Sequence, residues 1–138
     1  MAFVLDCSVT MAWVFPDEAT EETGLLRDSL LAGRAFVPAI WPIEVGNVLR
    51  VATGRGRIRT EDWARIRTNL EALPIAIEPV STSRVWGSVL ELAHERWLSV
   101  YDAMYLELAV RMRLPLATLD RALASAALGL GVKVPTVE

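Results

Sequence analysis

Short apolar runs rich in β-forming residues alternate along the chain with longer segments of helical periodicity. The runs cover residues 2–5, 35–37, 75–77, 114–118 and 132–134. Each is almost continuously hydrophobic, which is typical of strands that are buried on both faces. Helices between such strands form the crossovers of a parallel sheet. The sequence therefore predicts a three-layer α/β/α sandwich with a central, mostly parallel sheet of four to five short strands.

Seven helical segments are predicted between and after these runs, over residues 9–15, 20–32, 42–53, 61–73, 83–97, 101–113 and 121–130. The chain has no linker rich in proline, glycine or serine and no internal repeat. A length of 138 residues suits one continuous hydrophobic core. We therefore expect residues 1–138 to form a single domain.

The composition of the chain argues against a membrane protein and against a secreted protein held together by disulfides. Apolar residues make up 53% of the chain, yet no uncharged apolar run approaches the roughly 18 residues that a membrane-spanning helix needs. The N-terminus has no basic leader and reaches a carboxylate at Asp6, unlike a secretory signal. The single cysteine, Cys7, has no partner for an internal disulfide. We expect a soluble, cytoplasmic protein without membrane contact, in which Cys7 is a buried thiol.

Positive charge is concentrated in one part of the chain. The net charge of -3 argues against nucleic-acid binding by bulk electrostatics. Six arginines nevertheless lie within residues 50–67, which we call the arginine segment: Arg50, Arg55, Arg57, Arg59, Arg65 and Arg67. The second half of this segment is an amphipathic helix whose arginines could simply face solvent. RNA contact and a solvated helix face are equally good interpretations at this stage.

Two aspartates follow predicted strands. Asp6 comes directly after the first run, and Asp120 comes two residues after the fourth. The carboxyl ends of parallel strands meet at one edge of the sheet, and open α/β sheets bind their ligands there. Both side chains are therefore expected at that edge.

Two further acids lie on predicted helices. Glu44 falls in a first helical turn after Pro42. Asp102 is predicted to lie on the inward face of its helix with Tyr105, Leu106 and Ala109, and the solvated stripe opposite is formed by Glu107 and Arg111. A carboxylate on an inward face must be neutralised, paired or bound to a cation, because a buried unpaired charge is costly.

Each of the four acids also has a simpler interpretation. Asp6 and Asp120 could be helix N-caps, Glu44 could complement a helix dipole, and Asp102 could form a capping box with Ser99. Four carboxylates at one edge would, however, repel by roughly 1–4 kcal/mol for each close pair unless cations intervene. We therefore favour a metal site, with Asp6 and Asp102 as ligands and with Glu44 and Asp120 as further or water-mediated ligands.

Ligands that are all oxygen suit the hard cations Mg²⁺ and Mn²⁺. Such ions activate water for in-line displacement at phosphorus, so phosphodiester hydrolysis is the expected reaction class. Ser8 and Thr118 lie two residues from Asp6 and Asp120, respectively. Their hydroxyls could orient a carboxylate or a metal-bound water, although a cap or turn role is equally plausible.

The whole chain resembles the PIN domains, and within them the VapC-type toxins of prokaryotic toxin–antitoxin pairs. The resemblance is carried by the segments Val4–Val9, Glu44–Asn47, Tyr101–Ala109 and Leu116–Leu123. It implies that Asp6, Glu44, Asp102 and Asp120 are the catalytic acids of a Mg²⁺- or Mn²⁺-dependent endoribonuclease. It also implies a homodimer and a cognate VapB-type antitoxin that blocks the acidic cleft. Cys7 departs slightly from the usual pattern, in which alanine or threonine is more common.

Two other functions compete with this interpretation. A phosphoacceptor signalling domain also places carboxylates after parallel strands, and Lys133 could be its lysine, but Asp6 is single where that class needs paired acids. A non-catalytic PIN-like module could retain the fold for binding protein or RNA. The complete set of four acids argues against the second alternative.

Overall fold

The computed structural model describes residues 1–136 of the chain. Four strands form one sheet in the order β3–β2–β1–β4, and all three pairings are parallel. Their bounds are β1 (Ala2–Leu5), β2 (Arg34–Pro38), β3 (Ile75–Glu78) and β4 (Leu116–Ala117). Phe3, Val4 and Leu5 are all fully buried. Because successive strand residues point to opposite faces, both faces of β1 are covered. The predicted three-layer α/β/α sandwich is confirmed.

The helices follow the predicted segments with shifted ends. They are α1 (Cys7–Val14), α2 (Glu21–Ser29), α3 (Trp41–Gly54), α4 (Trp63–Glu71), α5 (Thr82–Arg84), α6 (Leu90–Arg96), α7 (Val100–Met112) and α8 (Arg121–Gly129). Short 3-10 turns precede α2 and α4. The helix predicted over residues 83–97 is instead α5 and α6 joined by a π-helical segment, Val85–Val89. Helix α7 packs against β1, β2 and β4.

Two features of the predicted sheet were wrong. Residues 132–134 do not form a fifth strand, although the carbonyl oxygen of Lys133 accepts the N–H of Leu116 at 2.8 Å. One such hydrogen bond does not make a ladder. The strand β3 is also not fully buried, since Ile77 is 52% exposed. This strand lies at the edge of the sheet, with β2 as its one neighbour among the described residues.

The main core surrounds the sheet, and a smaller cluster of Val89, Ala93, Ala103 and Met104 lies where α6 meets α7. The prediction for Cys7 is confirmed, because its thiol is free and buried. Within residues 1–136, no helix has both the length and the apolar character that crossing a bilayer requires.

The order of the strands creates a crevice at one edge of the sheet. The chain adds β2 and then β3 on one side of β1, and later returns to add β4 on the other side. The connections after β1 and β4 therefore diverge, which is where open α/β sheets bind ligands. Asp6 follows β1 at this point, and Thr118 follows β4.

Candidate active site

Asp6 lies at the centre of the carboxyl edge of the sheet. Its side chain occupies the N-cap position of α1 but caps no backbone group. One carboxylate oxygen, Oδ2, instead accepts hydrogen bonds from the hydroxyls of Ser8 at 2.5 Å and Thr118 at 2.8 Å. Burial raises the pKa of Asp6, and these hydroxyl donors offset part of the rise. Both hydroxyls therefore hold the carboxylate through the same oxygen, Oδ2.

The same two hydroxyls connect the loops that follow β1 and β4. Thr118 is fully buried, and its Oγ1 also accepts the backbone N–H of Asp120 at 3.0 Å. Ser8 Oγ accepts the N–H of Leu119 at 2.9 Å. The hydroxyl of Thr136 donates to the carbonyl oxygen of Thr118. Ser8 and Thr118 thus contact the Asp6 carboxylate directly.

Asp120 is exposed and caps α8, because its Oδ1 accepts the backbone N–H of Leu123 at 2.9 Å. The capping interpretation is therefore correct for this residue. It does not conflict with a metal role, since the cap uses one oxygen and a carboxylate has two. The contact of the Asp120 N–H with Thr118 connects this acid to Asp6 through a single hydroxyl.

Glu44 lies in the first turn of α3 and is half-buried. Its Oε1 accepts a hydrogen bond from the hydroxyl of Tyr105 at 2.5 Å. Burial raises the pKa of Glu44, the Tyr105 hydroxyl lowers it, and the charge of Asp6 raises it further. The fully buried Tyr105 lies on α7, and its own pKa is raised by burial and by Glu44. Sequence reasoning placed Tyr105 on the face of Asp102 but gave it no role.

Asp102 is the third residue of α7, whose N-cap Ser99 accepts the Asp102 backbone N–H at 3.1 Å. The side chain is half-buried. Burial, followed by the charges of Asp120, Asp6 and Glu44, raises the pKa of Asp102 to about 6. Asp102 is thus the acid at which the charges of the other three predicted acids act together.

Within residues 1–136, none of these four acids forms an ion pair with arginine or lysine, because every ion pair there involves other carboxylates. Glu107 on the same helix α7 is the opposite case. Its carboxylate accepts from Arg84 and from Arg111, both at 2.9 Å, and the residue is 7% exposed. The prediction that Glu107 belongs to a solvated stripe was therefore wrong, because the arginines allow it to be buried.

The donor chemistry of the four acids suits Mg²⁺ or Mn²⁺, since all their ligand atoms are carboxylate oxygens. Across the described part of the chain, no three Asp, Glu, His or Cys side chains stand close enough together to enclose an ion by themselves. Mg²⁺ commonly takes only one or two carboxylates and keeps several waters. Any ion held by these acids would therefore keep water among its ligands.

Most arginines of the arginine segment form ion pairs with nearby carboxylates. Arg57 contacts Asp17 and Glu18, both at 2.7 Å, and stacks on Phe15. Three more of its arginines pair with carboxylates that lie within residues 61–71, namely Arg59, Arg65 and Arg67. Among the described residues, the exposed Arg50 and Arg55 have no carboxylate partner. The structure favours a local, solvated role for four of the six.

Comparison with known proteins identifies the family that has this fold and these acidic residues at the carboxyl edge of its sheet. The PIN domain profile matches residues 3–128, and the chain belongs to the PIN-domain family. Ribonuclease VapC3 from Pyrobaculum aerophilum is 30% identical over 124 residues, which cover 90% of this chain and 93% of that protein. The resemblance to VapC-type PIN domains that the sequence predicted is confirmed.

Solved structures give the same result for the fold. A crystal structure of a Pyrobaculum aerophilum protein has a TM-score of 0.61 and 25% identity, covering 91% of this chain and 87% of that one. A toxin–antitoxin complex from Klebsiella pneumoniae has a TM-score of 0.65 and 20% identity, covering 96% of this chain and 97% of its own.

Proposed function

We propose that this protein is a Mg²⁺- or Mn²⁺-dependent endoribonuclease whose catalytic acids are Asp6, Glu44, Asp102 and Asp120. The observation that carries the proposal is that the Thr118 hydroxyl joins two of these acids at the carboxyl edge of the sheet, since it donates to the Asp6 carboxylate and accepts the N–H of Asp120. None of the four acids pairs with an arginine or lysine within residues 1–136. Buried like charges at a cleft are a recurrent mark of functional sites. The similarity to a protein named a ribonuclease supports RNA as the substrate.

The roles of the residues follow from their contacts. Asp6 offers Oδ1 to a cation while Ser8 and Thr118 hold Oδ2. Asp102 would supply the second direct ligand, and Glu44 and Asp120 would act as further ligands or hold water molecules. A divalent cation held by these acids would supply the chemistry of the reaction, namely activation of water and neutralisation of phosphate charge. The carboxylates attract that cation because their mutual repulsion is relieved when it binds.

We further propose that this nuclease is the toxin of a toxin–antitoxin pair with a VapB-type antitoxin, acting on RNA in the cytoplasm. The similarity to a solved toxin–antitoxin complex supports this partner. A homodimer remains a prediction from the resemblance. Two tryptophans offer apolar surface for such a contact, since Trp86 is 74% and Trp97 is 94% exposed. Light scattering of the Trp86→Ala and Trp97→Ala variants would test whether either side chain contributes to a dimer.

The decisive assay is cleavage of a mixed pool of structured RNAs by purified, antitoxin-free protein with Mg²⁺, Mn²⁺ or EDTA. We expect cleavage that requires a metal, is lost in Asp6→Ala and is retained in Arg57→Gln, a surface control. Cleavage that persists in EDTA or in Asp6→Ala would contradict the proposal. Saturable Mn²⁺ binding without cleavage of any RNA would favour the non-catalytic binding module.

A further inference from the structure

Tyr105 joins two elements that meet at the candidate site. It lies on α7, three residues after Asp102, and its hydroxyl reaches across to Glu44 on α3. The ring is fully buried, and the oxygen–oxygen distance of 2.5 Å is at the short end for a hydrogen bond to a carboxylate. A buried tyrosine hydroxyl needs a partner, and here that partner is one of the four acids.

The contact engages only one of the two carboxylate oxygens of Glu44. Tyr105 occupies Oε1, and within residues 1–136 no side chain donates to Oε2. Asp6 shows the same arrangement, because its Oδ2 takes both hydroxyls. Asp6 follows β1, and Glu44 lies on the helix that follows β2. Each of these two acids thus has one carboxylate oxygen held by neutral hydroxyl donors. Neutral donors orient a carboxylate without cancelling the charge that attracts a cation.

The backbone around Glu44 is fixed by other contacts. In the same helical turn, the indole N–H of Trp41 donates to the hydroxyl oxygen of Thr10 at 2.9 Å. Thr10 in turn donates to the carbonyl oxygen of Asp6 at 3.3 Å. The start of α3 is therefore attached to α1 without Tyr105. Removing the Tyr105 hydroxyl should release the Glu44 carboxylate while leaving its helix in place.

We propose that Tyr105 is a positioning residue that holds the Glu44 carboxylate through Oε1 and so keeps Oε2 available to a divalent cation. This inference rests on the proposed function. A tyrosine that merely fills the core would contribute to stability but not to metal affinity.

The test uses the two tyrosines of the chain as a matched pair. Tyr105→Phe removes the buried hydroxyl, and Tyr101→Phe removes an exposed one a single turn earlier on α7, where the residue is 60% exposed. Mn²⁺ affinity is measured by calorimetry without RNA, unfolding is measured in EDTA, and cleavage is titrated against Mg²⁺. We expect Tyr105→Phe to weaken Mn²⁺ binding about 10- to 100-fold, with cleavage partly recovered at high Mg²⁺. Tyr101→Phe should match the wild type in all three.

A second variant separates positioning from packing. In a Glu44→Gln background, Tyr105→Phe should cause no further loss of Mn²⁺ affinity, because the carboxylate that it orients is absent. If the wild type binds Mn²⁺ and cleaves RNA but Tyr105→Phe keeps full Mn²⁺ affinity, the positioning role is wrong and the nuclease stands. If the wild type shows no saturable Mn²⁺ binding, the proposed function fails, and the inference fails with it.

Discussion

Helix α7 carries two carboxylates in different environments, five residues apart. Glu107 is buried between Arg84 and Arg111 and is neutralised by both. Asp102 is half-buried, has no arginine or lysine partner in the described residues, and has its pKa raised to about 6 by burial and by three other acids. Burial alone therefore does not mark a functional acid. What distinguishes Asp102 is burial near other carboxylates, which remains unfavourable until a cation binds.

The largest expected effect is that of Asp102→Asn on cleavage. This change removes a proposed metal ligand, so cleavage should fall by more than the roughly 100-fold that changes outside the ligand set can cause. The unfolding temperature in EDTA at pH 7.5 should stay the same or rise, because one charge leaves a repulsive cluster. Gel-based cleavage and a thermal scan measure the two effects. An Asn variant that cuts RNA normally would remove Asp102 from the mechanism.

Thr118→Val should have the next largest effect. Valine keeps the volume of this fully buried side chain but loses the hydroxyl that donates to Asp6. We expect Mn²⁺ affinity to fall by about 10- to 100-fold. Ser8→Ala should cost less, because Thr118 contacts two of the proposed ligands, the Asp6 carboxylate and the Asp120 N–H, whereas Ser8 contacts Asp6. Calorimetric titration of both variants checks this order, and a larger loss for Ser8→Ala would contradict it.

Glu107→Gln should do the opposite of Asp102→Asn. It leaves two arginines without their carboxylate, and we expect a loss of about 1–3 kcal/mol in the free energy of unfolding. Cleavage per folded molecule should be unchanged, because Glu107 is paired with arginines and not with the site. Urea unfolding and an RNA assay would test the two statements. A loss of cleavage with full stability would show that the two ends of α7 are not independent.

The smallest effect concerns pH. The folded-state pKa of Asp102 is raised to about 6, and those of Asp6 and Glu44 are also raised. Between about pH 4 and pH 6 the folded protein therefore binds more protons than the unfolded chain. Without metal, stability should fall as the pH rises through this window, and Asp102, being partly exposed, should contribute about 1–2 kcal/mol.

Asp102→Asn is the control for this pH effect, because it should flatten the slope. Unfolding temperatures of both proteins, measured in EDTA from pH 4.5 to pH 7.5, test this difference in slope. A stability that rises across the same range would show that the acids are not mutually destabilising in the absence of metal.

Much of the fold was predictable because local periodicity and burial agree there. Continuous apolar runs gave β1 and β2, and the helices between them required parallel strands. The edge acids Asp6 and Asp120 followed from the same rule about parallel strands. The run over residues 132–134 looked equally apolar, yet it makes one backbone contact with β4 and no ladder. Whether such a run pairs with a neighbouring strand depends on the tertiary structure, which the residues of the run alone do not determine.

The errors at the site have one physical origin. A helical period separates polar from apolar positions, but it does not show which partner arrives from elsewhere in the chain. Arg84 comes from 23 residues away to bury Glu107, and Glu44 lies 61 residues from the hydroxyl of Tyr105. The available signal for Tyr105 was its position three residues after an inward-facing acid. That spacing indicates a shared face and does not identify the partner.

The most direct test of the account is an anomalous diffraction map from crystals grown with Mn²⁺ at pH 7.5. The account predicts one or two Mn²⁺ peaks at the carboxyl edge of the sheet, within coordination distance of Asp6 and Asp102, and none beside Glu107. Glu44 should coordinate through Oε2, directly or through water, with Oε1 still held by Tyr105. Full occupancy of Mn²⁺ elsewhere, with none at the four acids, would contradict the central claim.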